Sequence, residues 1–289
     1  MHATLFMRRD NILGEGPLWD DREGRLYWVD IRSSVLEWTD IGAGRLERKA
    51  VGVRLSALGL RRQGGLVAAA DHAVGVLDPD NGVFEPRVTF EPERPRNRTN
   101  DGGVGQDGRF WFGTMDDEGR AGQGALYSLD ADWTLKRVVD ELSIPNGITT
   151  TVDGVMLYAA DSGRQVIETR ALDPTTGVLS PPYEFASFAT EVFTPDGSAL
   201  DEEGCLWSAL WDGGRVVRFT HDGRIERTVA LPVSRPTSCA FGGPDMRTLF
   251  VTSARDGLDA AALAAEPLAG SVFAVDAGVR GLGVPAFAG

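Results

Sequence analysis

A short turn-and-strand pattern recurs along the whole chain and limits the folds open to it. In its clearest copies an acidic residue and a glycine precede a small hydrophobic strand, as in residues 21–30, 106–113 and 201–208. Looser copies occupy residues 152–158 and 243–251. Because glycine tolerates the positive φ that tight turns require, Asp-Gly and Glu-Gly between alternating hydrophobic runs predict hairpins.

Further strands after each hairpin set the size of the repeat. Residues 124–130, 215–219 and 270–276 each lead into another turn and an edge strand such as 223–231. The unit is therefore four antiparallel strands over roughly forty residues or more, which is the period of a propeller blade. A chain of 289 residues holds about six such units. We therefore predict an all-β fold, a six-bladed β-propeller of four-stranded antiparallel blades. A pair of β-sandwiches is the structural alternative.

The organisation along the chain is otherwise simple. No linker or low-complexity segment divides it, so we predict a single domain over residues 1–289. An alanine-rich run at 258–266, ended by Pro267, predicts a short helix in a loop of blade six. The first residues, 1–6, start a strand and lack the features of a signal peptide. No stretch approaches the roughly 18 apolar residues of a membrane span. We therefore expect a cytoplasmic location and no membrane partner.

Charge and cysteine content exclude some classes of function. The net charge of -13 disfavours nucleic acids and anionic membranes as partners. It is compatible with simple solubility, or with some carboxylates converging on a cation. Cys205 and Cys239 are the two cysteines, too few for a disulfide framework. Their flanks contain nothing that would lower a thiol pKa, so we expect no catalytic role for them.

Polar residues recur in register just before each predicted inner strand. The innermost strand of a blade lines the central channel, so residues that enter it can point to one centre. The candidates are Glu15, Ser56, Asn100, Asn146, Asp196 and Ser238, with spacings of 41, 44, 46, 50 and 42 residues. Taken singly, Pro-Asn-Gly and Pro-Asp-Gly are common turns. Their shared register favours an oxygen-rich site around the axis.

Other catalytic signatures are missing from the sequence. His2, His72 and His221 lie far apart, and no nucleophile elbow or phosphate-binding glycine loop occurs. Without a strong nucleophile, an enzyme built on this site would need a metal ion. Oxygen ligands suit Ca²⁺, Mg²⁺ or Mn²⁺, and Zn²⁺ and Fe²⁺ stay open.

Eight short motifs occur in order along the chain. They lie at residues 97–102, 112–115, 124–127, 145–147, 195–197, 213–216, 239–243 and 252–257. Each is weak alone, but together they make the chain resemble the regucalcin/gluconolactonase family of sugar lactonases. The resemblance runs from residues 13–17 to the C-terminal 284–289.

This resemblance implies a mechanism as well as a six-bladed propeller. One divalent ion would be held by Glu15, Asn146 and Asp196 and would polarise the carbonyl of a sugar lactone. Asp196 would take the proton of the attacking water. Arg98 and Asn100 would contact the hydroxyl groups of the substrate, and Glu118 would act from a lid.

Two alternative functions stay open beside the lactonase. One is a metal-dependent hydrolase of the phosphotriesterase or arylesterase type, which a hydrophobic pocket mouth would favour. The other is a non-catalytic calcium-binding propeller. Arg98 together with Asn100 favours a polyol substrate. Trp19, Trp211 and Phe193 are candidates for shaping the pocket, although buried tryptophans often pack blades instead.

Overall fold

A computed structural model describes residues 1–42 and 44–289. In these residues six four-stranded antiparallel sheets form the blades of a β-propeller, as the repeat predicts. A pair of β-sandwiches is therefore not the fold.

The strands of blades one to three are β2 (Gly14–Asp20), β3 (Arg25–Asp30), β4 (Val35–Asp40), β5 (Leu46–Ala50), β6 (Leu55–Leu60), β7 (Leu66–Ala70), β8 (Ala73–Asp78), β9 (Val83–Thr89), β10 (Asn97–Val104), β11 (Phe110–Asp116), β12 (Gly124–Leu129) and β13 (Leu135–Leu142). Those of blades four and five are β14 (Pro145–Thr150), β15 (Met156–Asp161), β16 (Val166–Ala171), β17 (Tyr183–Ser187), β18 (Thr194–Leu200), β19 (Leu206–Trp211), β20 (Arg215–Phe219) and β21 (Ile225–Ala230).

Blade six closes the ring with strands from both ends of the chain. It contains β22 (Pro236–Gly242), β23 (Thr248–Ser253), β24 (Val272–Asp276) and the N-terminal β1 (Thr4–Met7). Because β1 pairs with β24, the first strand of the chain completes the last blade. A ring closed in this way leaves only short, protected sheet edges.

The recurring acidic residue accepts hydrogen bonds that stabilise the turns. Asp201 accepts hydrogen bonds from the backbone N–H groups of Glu203 and Cys205, each at 3.0 Å, and its other oxygen accepts from the buried indole of Trp207 at 2.8 Å. The glycine that follows such an aspartate is needed for its backbone conformation. Gly108 has φ +81° with no atom within 4 Å of an added Cβ, so conformation rather than space favours glycine there.

The alanine-rich run forms the helix that the sequence predicts. Helix α1 (Ala260–Ala265) lies between β23 and β24, and the side chain of Asp259 caps its N-terminus by accepting from the N–H of Ala262 at 2.8 Å. A 3₁₀ turn (Ser162–Arg164) follows β15. In the described residues, neither helical segment has the length and apolar character needed to cross a bilayer.

The C-terminal segment crosses one end of the central channel. Phe287 is fully buried, and its backbone bonds to Leu60 and Arg62 at 2.8 and 2.9 Å. Residues 282–285 line a small cavity of about 110 Å³ at that end. The opposite end of the channel, where the inner strands begin, stays accessible and contains the candidate site.

Candidate active site

Each of the six polar residues in shared register lies on the innermost strand of its blade. The sequence placed them before these strands, but the structure places them inside, within the first four residues. A bulge or shift of register follows or encloses every one of them. A bulge re-aims side chains toward one side of a sheet, and it also breaks the alternating pattern by which a strand start is recognised in sequence.

A cavity of about 280 Å³ lies at the end where the inner strands begin. The structure brings together five of the predicted site residues in its wall, which are Glu15, Arg98, Asn100, Asn146 and Asp196. Other lining residues are Leu13, Arg32, Met115, Asp117, Gly119, Ile144, Ser162, Thr194, Trp211 and Asp256. Ten of these fifteen lining residues are polar or charged, and they come from several blades.

Two ring positions do not reach this cavity. The hydroxyl of Ser56 donates to Thr99 at 2.6 Å in the packed interior. Ser238 lines the smaller cavity at the other end of the channel. Their register around the axis is as predicted, but their depth along the axis differs from that of Glu15 and Asp196.

Three buried carboxylates lie near one another in the channel. Glu15, Asp101 and Asp196 are 7%, 8% and 5% exposed. Burial is the largest cause that raises the pKa of Glu15, followed by the charge of Asp101. Burial, then the charges of Glu15 and Asp101, raise the pKa of Asp196 well above its usual range. The positive charge of Arg98 lowers both pKa values, but its effect is smaller than that of burial.

Asp101 is a site residue that the sequence analysis missed. Its Oδ1 accepts from the N–H of Gly102 at 2.8 Å, and its Oδ2 accepts from the N–H of Gly147 at 2.6 Å, which joins blade three to blade four. It lines the smaller cavity, on the far side of Glu15 and Asp196. The bulge between Thr99 and Gly102 allows two consecutive residues to turn toward the axis, a geometry that the sequence pattern does not reveal.

Hydrogen bonds determine the orientation of Asn146. Its Nδ2 donates to Ser162 Oγ at 2.8 Å, and that hydroxyl donates to the carbonyl of Pro195 at 2.5 Å. Its Oδ1 accepts from Asn100 Nδ2 at 2.8 Å and keeps a second lone pair. In the described part of the chain, no three His, Cys, Asp or Glu side chains are grouped closely enough to bind a metal. A metal site here therefore needs the amide oxygen of Asn146 beside the carboxylates.

Arg98 and Asn100 extend this network along the cavity wall. Arg98 donates through Nε to Asp117 at 3.0 Å and through Nη1 to Asn100 Oδ1 at 2.8 Å. Asn100 Nδ2 donates to Asn146 and to the carbonyl of Pro145. An unbroken series of hydrogen bonds thus runs from Asp117 to Asn146.

Asp117 is the second residue that the sequence analysis missed. It follows β11 and accepts from Arg32, Arg54 and Arg98 at 2.7 to 3.0 Å. Burial alone would raise its pKa, but the hydrogen bond from Arg54 and the three nearby positive charges outweigh burial and lower the pKa. The three arginines come from different parts of the sequence, so no local motif indicates their meeting.

Glu118 lies beside this cluster but not in the cavity wall. Its side chain is 72% exposed, and its nearest cation is Arg96 Nη1 at 3.7 Å. Its backbone N–H donates to Asp116. The role of Glu118 as a lid residue stays a prediction.

Of the aromatic residues considered for the pocket, Trp211 lines it. The guanidinium of Arg235 lies 4.9 Å from the centre of its ring. Trp19 instead packs against Phe250, with ring centres 6.4 Å apart. Phe193 is buried against Phe188 in blade packing.

The two cysteines are buried and free. Burial raises the pKa of both thiols, and most strongly that of Cys239, which lines the smaller cavity. A raised pKa disfavours the thiolate, which is the reactive form.

Comparisons with known proteins match almost the whole chain. A family model described as "SMP-30/Gluconolactonase/LRE-like region" matches residues 13–255. The chain is 36% identical over 295 residues to a 6-deoxy-6-sulfogluconolactonase of Pseudomonas putida, with 100% of each chain covered. It is 34% identical over 284 residues to regucalcin of Homo sapiens, which covers 96% of this chain and 95% of the relative. The structure of a calcium-binding regucalcin from Agrobacterium tumefaciens superimposes with a TM-score of 0.92 at 30% identity, covering 98% and 97% of the two chains.

Proposed function

The chain belongs to the SMP-30/gluconolactonase/LRE-like family, and on that basis we propose that it hydrolyses a sugar lactone to the aldonic acid. The observation that carries the proposal is the cavity at the channel entrance. It combines buried carboxylates of raised pKa with a neighbouring arginine and asparagine suited to hydroxyl groups.

One divalent ion fits the donor set of this cavity. Glu15 and Asp196 supply carboxylate oxygens, and Asn146 supplies an amide oxygen whose orientation is determined by its hydrogen bonds. Hard oxygen ligands suit Ca²⁺, Mg²⁺ or Mn²⁺, while Zn²⁺ and Fe²⁺ are also compatible with carboxylates. The calcium-binding description of the Agrobacterium structure favours Ca²⁺ for this chain too. When bound, such an ion supplies polarisation of the lactone carbonyl and offsets the charge that develops on its oxygen.

Arg98 and Asn100 are suited to hold one hydroxyl group between them. Both N–H groups of the Asn100 amide are used, but its Oδ1 accepts only from Arg98 and has a lone pair left. Arg98 Nη2 has no hydrogen-bond partner in the described residues. A sugar hydroxyl can therefore donate to Asn100 and accept from Arg98. Trp211 offers an apolar face to the carbon atoms of the ring.

We assign to Asp196 the role of accepting the proton of the attacking water. It lines the cavity, and in the described residues no side chain donates a hydrogen bond to its carboxylate. The backbone N–H of Gly197 donates to this carboxylate, which keeps further lone pairs for a proton. As water adds to the carbonyl carbon, its proton passes to Asp196. The ring C–O bond then breaks, and Asp196 returns this proton to the ring oxygen, which leaves as a hydroxyl of the aldonic acid.

A non-catalytic calcium-binding role is the second candidate function. The favouring observation is that the Agrobacterium structure with a TM-score of 0.92 is described as a calcium-binding protein. Both functions use a bound ion, but only the first includes turnover of a substrate. The arylesterase-type alternative fits less well, because ten of the fifteen residues in the cavity wall are polar or charged.

The deciding experiment follows acid release at constant pH from a panel of aldonolactones. The protein is first treated with a chelator, and Ca²⁺, Zn²⁺, Mg²⁺, Mn²⁺ and Fe²⁺ are then added singly. Metal-dependent turnover is expected for the wild type and not for Asp196→Ala. Ser238→Ala, a change at the same ring register but in the smaller cavity, should keep wild-type turnover. Metal binding without acid release from any lactone would favour the non-catalytic role.

A further inference from the structure

Three arginines surround one carboxylate in the wall of the cavity. Asp117 Oδ1 accepts from Arg32 Nη1 at 2.9 Å and from Arg98 Nε at 3.0 Å. Its Oδ2 accepts from Arg54 Nη1 at 2.7 Å. Arg32 follows β3, Arg54 precedes β6 and Arg98 lies in β10, so this one carboxylate connects blades one, two and three at the entrance.

The guanidinium of Arg98 depends on this carboxylate for its charge balance. Arg98 is 4% exposed, and burial followed by the charge of Arg32 lowers its pKa. In the described residues its ion pair is with Asp117 alone. A buried cation that loses its counter-ion is strongly destabilised and moves or becomes hydrated.

The charge of the cavity wall argues against an anion-binding role for the arginines. Arg32 and Arg98 line it together with four carboxylates, those of Glu15, Asp117, Asp196 and Asp256. Arg32 is itself paired with Asp256 at 3.2 Å, and Arg54 with Asp71 at 2.7 Å. Each guanidinium is therefore already balanced, which fits a network that determines orientation.

We propose that Asp117 is a positioning residue, which holds the guanidinium of Arg98 so that Nη2 is presented to a hydroxyl of the substrate. Asp117 binds the Nε side of Arg98, and Asn100 Oδ1 with the Thr99 carbonyl binds Nη1. Together these contacts leave Nη2 as the nitrogen of the guanidinium without a hydrogen-bond partner in the described residues. The identity of the substrate in this proposal rests on the proposed function, but the ordering of Arg98 does not.

The chain offers a matched control for Asp117. Asp71 also accepts from Arg54 at 2.7 Å, and its side chain is 33% exposed against 32% for Asp117. In the described residues its side chain forms no hydrogen bond with Arg98 and does not line the cavity. Its backbone carbonyl, which the substitution leaves in place, accepts from the N–H of Thr99 at 3.1 Å. Its φ of +43° is one that asparagine tolerates, so Asp71→Asn removes an equivalent charge without strain.

The kinetic test compares Asp117→Asn with Asp71→Asn. Loss of a hydrogen bond to a charged donor predicts about a tenfold or greater rise in KM for Asp117→Asn, with a smaller change in kcat. Asp71→Asn should stay within about twofold of the wild type. Asp117→Glu, which restores the charge, should recover most of the affinity. Equal effects of the two asparagine variants on KM would overturn the proposal.

A double-mutant cycle shows whether Asp117 acts through Arg98. If it does, adding Asp117→Asn to Arg98→Ala should change kcat/KM little, within about twofold. Fully additive losses would mean that Asp117 acts independently, and the proposal would be wrong. Thermal melting establishes that each variant folds. If Asp117→Asn does not fold, Asp117→Ser, which keeps one hydroxyl acceptor, takes its place.

A readout without substrate separates this proposal from the proposed function. The Nε–H signal of Arg98 in ¹H–¹⁵N NMR spectra, identified by its loss in Arg98→Lys, should be sharp in the wild type and in Asp71→Asn. It should broaden or shift toward the solvent-exposed range in Asp117→Asn. An unchanged signal in Asp117→Asn would refute the positioning role even if the wild type turned over no lactone. An inactive wild type that shows the expected signals would instead count against the proposed function alone.

Discussion

Asn100 Nδ2 donates a hydrogen bond of 2.8 Å to Asn146 Oδ1, which links the proposed hydroxyl-binding group of blade three to the proposed metal ligand of blade four. The same oxygen of Asn146 is the atom expected to face the ion. On the proposed function, substrate binding and metal binding share one amide group, and a change on one side should be measurable on the other.

Replacing Asn100 with alanine should impair both kinds of binding. KM should rise because a hydroxyl acceptor is lost, and metal affinity should fall modestly because Asn146 Oδ1 loses an orienting donor. A neutral hydrogen bond contributes about 1 kcal/mol, which is roughly fivefold in affinity. Calorimetric titration with Ca²⁺ checks the second effect, with Ser238→Ala as the control. Metal affinity equal to that of the wild type would show that the Asn100–Asn146 contact does not orient the ligand.

Asp196→Asn should raise the melting temperature of the metal-free protein and remove most of the stabilisation that Ca²⁺ gives. Asp196→Asn removes one of three mutually repelling groups, so the chelated protein should melt higher, on the order of 3 °C. Added Ca²⁺ should stabilise the wild type, by about 2.7 kcal/mol at a hundredfold excess over Kd. The variant should gain little. Thermal melts of both proteins in EDTA and in Ca²⁺ provide the measurement, and an Asp196→Asn protein that melts lower in EDTA would contradict the account of the site.

Loss of any one metal ligand should abolish metal binding while the fold persists. Glu15→Ala, Asn146→Ala and Asp196→Ala each remove an oxygen donor from a proposed set of three. The remaining protein donors are too few for a tight Ca²⁺ site. Calorimetry measures the affinity and circular dichroism the fold. Unchanged Ca²⁺ affinity in all three variants would place the ion elsewhere.

Arg98 and Asp196 should affect different kinetic constants. Arg98→Ala removes a charged donor to the substrate and should raise KM about tenfold to a hundredfold, with metal affinity retained. Asp196→Ala removes the proton acceptor as well as a ligand and should lower kcat. Arg96→Ala, which changes a half-exposed arginine outside the cavity wall, is the control. Wild-type KM and kcat in Arg98→Ala would leave the polyol site without support.

The cysteines should react slowly and without consequence. Burial raises the pKa of Cys205 and Cys239 above the ordinary thiol value, so the thiolate fraction at neutral pH is lower than for a free thiol. Labelling by a disulfide reagent should be slow in the native protein and fast after unfolding. Rapid native labelling that removes activity while the melting temperature is unchanged would contradict this expectation.

Much of the site was accessible from the sequence because its elements are local and repeated. The hairpin turns require glycine at positions such as Gly108, so each blade is visible as a segment. Equivalent positions on successive blades must lie around one axis, which is why Glu15, Asn146 and Asp196 could be predicted to converge. The same register gave Asn100, and the resemblance to known lactonases added Arg98; both line the cavity with them.

The depth of each polar side chain along the channel axis depends on the tertiary structure. Ser56 and Ser238 share the register of Glu15, but one is bonded to Thr99 and the other faces the smaller cavity. Each inner strand has one extra residue at its bulge, but the polar residue lies at a different place relative to the bulge from blade to blade. A spacing of about one blade cannot resolve a shift of one residue. The same effect brings Asp101 to the axis beside Asn100.

The chain by itself therefore determined the blade, its repeat and the ring of polar residues, because turns and strand patterns depend on neighbours in sequence. Only the closed ring decided the contacts that cross from blade to blade. β1 completes blade six from the other end of the chain. Arg32, Arg54 and Arg98 meet at Asp117 from separate blades. Such contacts join residues far apart in sequence, so their geometry exists only once all six blades are packed around one axis.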